Sequence, residues 1–175
     1  MSFYAVFDRV APAANKYVAT LFNGATGRKV VVNRVYRFNW QVSAVVGIQL
    51  EQELRFITAR TAGTNVLIQR EDSNDTITTG IAADTGSTAV TEESTNRGLV
   101  KRFFASSEEV VLATALTVPT GAFAHAHDAQ LVYWRRYGSK GLVLRQNEGL
   151  TIKNITSSTV GTVSYMIEFD DELAT

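Results

Sequence analysis

From Val163 to Phe169 the chain repeats every second residue. Val163, Tyr165, Ile167 and Phe169 are apolar or aromatic, Thr162, Ser164, Glu168 and Asp170 alternate with them, and only Met166 breaks the polar set. Successive side chains of a strand point to opposite faces, so this period of two predicts a strand with one face in a core and the other in water. Just upstream, Leu142 and Leu144, the turn Gln146-Asn147-Glu148-Gly149, then Leu150 and Ile152 predict two short strands with a tight connection.

The same pattern runs back through the chain. After the turn signal Asn23-Gly24-Ala25-Thr26-Gly27, the residues Val30, Val32, Tyr36, Phe38, Trp40 and Val42 share one face, with Arg34 the exception. Beyond Gly47, Ile48, Leu50, Leu54 and Phe56 face one way while Gln49, Glu51, Glu53 and Arg55 face the other. These two runs read as long antiparallel neighbours. Further strands are expected at 99–104 and 110–118, the second closed by Pro119-Thr120-Gly121. Residues 1–22 hold two short aromatic and β-branched runs around Pro12, expected as an extended arm or edge strands. With eight or more such runs, the fold expected is all-β, an antiparallel β-sandwich of jelly-roll type, in a single domain spanning 1–175.

From Glu71 to Asn96 the composition turns to Thr, Ser, Asp, Glu, Ala and Gly, with Ile77, Ile81 and Val90 the only large apolar residues. That composition predicts a long loop near 71–96, either a surface loop or a segment laid over a neighbouring subunit.

Charge and composition limit the chemistry. Lys plus Arg equal Asp plus Glu at 17 each, so no net field draws the chain to polyanions and no nucleic-acid partner is expected. There is no cysteine, which removes disulfides and thiolate chemistry together. No apolar run approaches the roughly 18 residues of a membrane helix, and the first residues lack the pattern of an export signal. No membrane partner is expected.

The most tempting reactive group is His125-Ala126-His127-Asp128, whose alternate imidazoles share a strand face. It resembles the first cupin metal motif, but Leu131 or Val132 stands where that motif has Glu, and in the second motif Ile152 replaces the metal-binding His and Thr156 the Asn. The turn glycines Gly141 and Gly149 fit, so the resemblance reaches the geometry of a jelly roll and omits the ligands. Surface or interface histidines are the simpler reading. Glu51 and Glu53 lie on the polar side of their strand and are expected to be solvated. Asp72, Asn74, Asp75 and Asp84 lack the spacing of a calcium loop. With no G-x-S-x-G and no phosphate-binding glycine motif, neither catalytic residues nor a cofactor is expected.

Basic residues gather at Arg135, Arg136, Lys140, Arg145 and Lys153, interleaved with Tyr133, Trp134 and Tyr137. Trp, Tyr and Arg are enriched where proteins touch. The plainer alternative buries Tyr133 and Trp134 at the core margin and leaves the cations in water. The acidic run Glu168, Asp170, Asp171 and Glu172 offers the opposite sign, which suggests a meeting of Tyr133, Trp134, Arg135, Arg136, Tyr137 and Arg145 with Asp170 and Asp171 of another copy. The aromatics Trp40, Tyr133, Trp134 and Tyr137 also suit sugar stacking, as in a carbohydrate-binding module.

Two segments, KYVATLFNGATGRKVVVNRVYRF and GLVLRQNEGLTIKNITSSTVGTVSYMIEF, together roughly a third of the chain, resemble small virion structural proteins of tailed bacteriophages, the jelly-roll or sandwich proteins that decorate a capsid shell. The resemblance implies a non-enzymatic cement role in the virion, binding the major capsid protein or other virion proteins as a homo-oligomer, often a trimer. A tail, collar or head-fibre component is the nearest alternative.

Overall fold

A computed structural model describes residues 1–11, 13–39, 49–95, 97–106, 130–156 and 162–174. Among these there are strands and turns and no helix. The protein is an all-β sandwich of two antiparallel sheets packed against each other. The first sheet joins β1 (Ser2–Val10), β3 (Arg28–Asn39), β6 (Ile68–Arg70), β10 (Gln130–Trp134), β11 (Leu142–Leu144) and β13 (Val163–Leu173) in the order β10-β3-β13-β1-β6, with β11 also on β3. The second joins β2 (Tyr17–Asn23), β4 (Gln49–Thr61), β5 (Thr64–Val66), β7 (Ile81–Thr85), β8 (Thr88–Glu92), β9 (Leu99–Ser106) and β12 (Glu148–Asn154) in the order β5-β7-β2-β12-β4-β8, with β9 also on β4.

The strand order defines the topology. β10 and β11 lie end to end along one edge of β3, at Arg34 to Arg37 and Val30 to Val32, while β13 takes the other edge. β9 and β8 likewise share the edge of β4 away from β12. Counting each end-to-end pair as one strand leaves two four-stranded sheets, β1-β13-β3-β10/β11 and β2-β12-β4-β9/β8, and, the β5–β7 insertion aside, the chain crosses between them at every step but β4 to β8/β9. This is the jelly-roll order. Strands β5 to β7 are an insertion whose members extend the sheets beyond β1 and β2.

Several sequence expectations change here. The runs at 30–42 and 48–56 are not neighbours, since β3 and β4 lie in different sheets. The connection 145–147 is a crossing between sheets instead of a hairpin turn, because β11 pairs with β3 and β12 with β2 and β4. Asn147 takes φ of 62° there, a left-handed conformation that Asn tolerates, and donates its N–H to the Asn23 carbonyl at 2.7 Å. Residues 1–22 form no arm: β1 has β13 and β6 on its two sides, and β2 has β12 and β7. The stretch 71–96 holds β7 and β8, and Ile81 is buried. Its Thr and Ala composition concealed β7, which pairs beside β2 within the second sheet. The strand expected at 110–118 and the residues Trp40, His125 and His127 lie outside the described residues.

One bulge decides what faces the core. Phe169 pairs with Val32 and Glu168 with Arg34, so Asn33 is an extra residue in β3. An extra residue reverses the in–out phase of everything after it. Val30 and Val32 are buried before the bulge, and Val35 and Arg37 after it, which turns Tyr36 and Phe38 to the outside. Arg34, the exception in the alternation, sits beside this bulge. The core between the sheets is built from Phe3, Phe7, Val32, Ile167 and Phe169 on one side and Leu21, Leu54, Phe56, Leu150 and Ile152 on the other. Burying each such side chain contributes about 1.5–3 kcal/mol.

Several polar side chains also enter the interior, partnered by residues remote in sequence. Arg37, 2% exposed, faces Tyr165, which is its register partner. Gln52 of the opposite sheet donates from Nε2 to the Tyr165 oxygen at 2.5 Å. Burial pushes the Tyr165 phenol up to about 12, against the opposing effects of Arg37 and Gln52. Burial also lowers the Arg37 guanidinium, with the Tyr165 oxygen partly offsetting it. Toward the other end of β13, the Asp171 carboxylate accepts Arg28 Nε at 2.6 Å and Thr78 Oγ1 at 2.6 Å.

Candidate interaction face

The two outer faces of the sandwich differ in kind. That of the second sheet carries an ion-pair lattice, with Phe104 and Leu99 exposed on β9 beside it. Glu53, only 2% exposed, takes Arg55 Nε at 2.6 Å and Arg102 Nη2 at 2.5 Å. Glu92 takes Arg55 Nη1 at 2.7 Å, Lys153 Nζ at 2.7 Å and the Tyr17 hydroxyl at 2.8 Å. Burial, then the bond to Glu92, pushes the Tyr17 phenol up to about 12. Beside this lattice, Thr20, Thr151, Ser87 and Asp84 form a buried chain of hydroxyls and carboxylate, and Arg60 pairs with Asp84 at 2.8 Å. Arg60 also lies over the Phe22 ring, 4.9 Å from its centre. Every charge in this lattice meets its opposite within the chain. The expectation of solvated carboxylates therefore fails for Glu53, whose burial two arginines compensate.

The outer face of the first sheet is left open. Cross-strand register sets Val6 opposite Met166, Met166 opposite Tyr36, and Tyr36 opposite Leu131, making one apolar row across four strands. Val6 is 42% and Leu131 44% exposed, and the Phe38 ring lies 6.3 Å from that of Tyr36. Met166, which breaks the polar set in the sequence, is thus a member of this row. The next row runs Tyr4, Glu168, Arg34 and Trp134, with Arg34 Nη1 3.3 Å from Glu168 and Trp134 57% exposed. Beyond it Asp170 accepts Ser2 Oγ at 2.6 Å and Asn33 Nδ2 at 2.8 Å.

Arg135 forms the ridge between two hollows on this face. It donates Nη1 to Asn33 Oδ1 at 3.2 Å and Nε to the Ser139 carbonyl at 3.0 Å. One hollow, of about 360 Å³, is polar and lies between Trp134, Arg34, Glu168, Asn33 and Glu71. The other, of about 620 Å³, is rimmed by Arg28, Lys29, Lys140 and Arg145 with Glu172.

The structure sorts the sequence candidates. Trp134, Arg135 and Arg145 line the hollows, and Arg136 is exposed and Tyr137 stands fully in solvent on the turn after β10. Tyr133 turns the other way and packs against the core, where burial raises its phenol. Lys153 belongs to the second sheet. The acidic run is used within the chain: Glu168 on Arg34, Asp170 on Ser2 and Asn33, Asp171 on Arg28, Glu172 on Lys29. Asp171 is buried, so it does not stand on a surface to meet another copy. Sequence alternation placed Tyr36 and Phe38 on the face of Val30 and Val32, and the Asn33 bulge turns them outward; Val6 and Leu131 join them only through strand pairing. The exception at Arg34 was the available signal.

Among the described residues no group of three His, Asp or Glu side chains comes together as metal ligands. Asp84 is held by Arg60 on the second sheet, away from Asp72, whose carboxylate caps the Asn74 N–H at 2.9 Å. Comparison with known proteins finds no relative: no family model, no curated protein and no solved structure matches the chain.

Proposed function

We propose that the protein is a non-enzymatic virion structural protein, a cement that binds a bacteriophage capsid shell through the open face of its first sheet. The observation that carries this reading is the asymmetry of the sandwich. One outer face carries an ion-pair lattice across its strands, and the other presents the row Val6–Met166–Tyr36–Leu131 beside Trp134 and a cluster of cations. A contiguous apolar patch rimmed by polar groups on a rigid scaffold marks a protein contact, and Trp, Tyr and Arg are the usual anchors. The partner in this reading is the major capsid protein or another virion protein, and the chain acts as a homo-oligomer, the trimer being the form its resemblance implies. A protein that binds the assembled shell better than free subunits adds its binding free energy to the shell, about 2.7 kcal/mol per site at a hundredfold excess over Kd. Calorimetry of expanded shells tests this: added protein raises the rupture temperature, and an unchanged temperature sinks the reading.

A second reading has its own observation. Trp134 stands beside a polar hollow of about 360 Å³ that includes Asn33, Arg34 and Glu168, a combination that suits a sugar ring stacked on indole. A glycan array with hits lost in Trp134→Ala supports it, and an array without hits removes it.

A further inference from the structure

We propose that the 620 Å³ hollow beside β11 seats an acidic peptide segment of a partner protein. This rests on the cement reading only in taking the partner to be a protein. Five cations, Arg28, Lys29, Arg135, Lys140 and Arg145, line the hollow, against one carboxylate, that of Glu172, among the described residues. Three of them are already engaged: Arg28 with Asp171 at 2.6 Å, Lys29 with Glu172 at 3.3 Å, and Arg135 with Asn33 at 3.2 Å and Asp170 at 3.9 Å. The Lys140 and Arg145 side chains make no ion pair among the described residues, although the Arg145 N–H donates to Glu148 Oε2 at 2.8 Å, and both residues are exposed. Among the described residues, the hollow therefore holds two side-chain charges without an ion-pair partner.

Its shape is fixed by the sheet. Val31 and Val143 are register partners that supply an apolar floor. The 135–141 turn returns tightly over them at Gly141, whose φ is +71° and where an added Cβ would stand 3.0 Å from Arg135 Cδ and 3.2 Å from both Val31 Cγ1 and the Val32 carbonyl. A left-handed conformation at such close quarters requires glycine, and it holds Lys140 at the rim.

The occupant follows from the charges. A second copy cannot supply its C-terminal acids without breaking the pairs that hold them, and Asp171 is buried. Nucleic acid gains about 0.9 unit of salt slope per phosphate neutralised. Two free cations on a chain of zero net charge give it little hold. One or two carboxylates flanking an apolar residue match both the free charges and the floor.

The test uses the full chain and a fluorescein-labelled peptide of alternating Glu and Leu, read by anisotropy. The expected result is saturable binding that weakens with salt and falls about tenfold or more in Lys140→Glu/Arg145→Glu, as expected when charges in contact with a ligand are reversed. Thermal unfolding of that variant should match the parent, since both side chains are exposed and unpaired. Shell stabilisation lost while peptide binding persists would sink the cement reading alone. An absence of peptide binding, equal binding by the double variant, or displacement of the peptide by single-stranded DNA or inorganic phosphate at lower concentration would overturn the proposal.

Discussion

Arg28 Nε meets Asp171 Oδ1 at 2.6 Å, and the Asp171 side chain has no exposed surface. The pair joins the first residue of β3 to the end of β13, and the same carboxylate holds Thr78 through its N–H at 3.2 Å and its hydroxyl at 2.6 Å. Removing one member of a buried pair leaves the other charge uncompensated, at about 3–5 kcal/mol when both are buried. Arg28 keeps some exposure, so Asp171→Ala should cost about 2–4 kcal/mol in urea unfolding. A loss below about 0.5 kcal/mol, the level of an ordinary surface change, would contradict the role given to this pair.

Acid should loosen the second sheet. Burial by itself would raise Glu53, but the hydrogen bonds and charges of Arg55 and Arg102 outweigh it and hold the carboxyl below its ordinary value of 4.5. Glu92 is also lowered: burial again opposes, and Lys153, Tyr17 and Arg55 prevail. A carboxyl with a lower folded value contributes stability above its unfolded value and loses that contribution as pH falls through the folded one. Stability from these two groups should therefore hold near neutrality and decline as pH drops below about 4.5. In Glu53→Gln/Glu92→Gln the acid decline should be shallower, as measured by unfolding at a series of pH values. An equal decline in parent and variant would show that the lattice is not its source.

Gly149 lies in β12, between β2 and β4, where an added Cβ would fall 2.8 Å from Phe22 Cδ2 and 2.9 Å from Ile57 Cγ1 and the Leu21 carbonyl. Strands on both sides leave little room to shift. Gly149→Ala should destabilise by about 1–3 kcal/mol through overpacking, and unchanged thermal unfolding would argue against so close an approach.

How far the fold could be read from the chain depended on where local pattern and long-range register agreed. The alternation Val163, Tyr165, Ile167, Phe169 has no bulge within it, and all four residues are buried as the period requires. In β3 the same arithmetic fails after Asn33, because a bulge is a property of two strands and is set by Glu168 and Phe169 across the ladder. The burial of Arg37 and Asp171 was not legible in sequence because their partners, Tyr165 and Arg28, are remote along the chain. The cluster around Trp134 was visible because its aromatics and cations are consecutive. The apolar row was not, since its four members come from four strands and meet only through pairing.

Trp134 should matter for binding and little for folding. It is exposed at the rim of a hollow and lies near the apolar row. Trp134→Ala should change unfolding by no more than about 0.5 kcal/mol, yet weaken attachment to shells by about 2 kcal/mol or more if it is an anchor. Co-sedimentation with shells measures the second quantity. Equal co-sedimentation of parent and variant would remove Trp134 from the contact.

Electron microscopy of purified particles with and without the chain tests the central claim most directly. The account predicts sandwich-shaped density on the shell in the first sample only, with the Val6–Met166–Tyr36–Leu131 face turned to the shell subunits and the Glu53–Arg55–Arg102 face turned to solvent. Particles that carry no such density, or a sandwich seated by its ion-paired face, would contradict it.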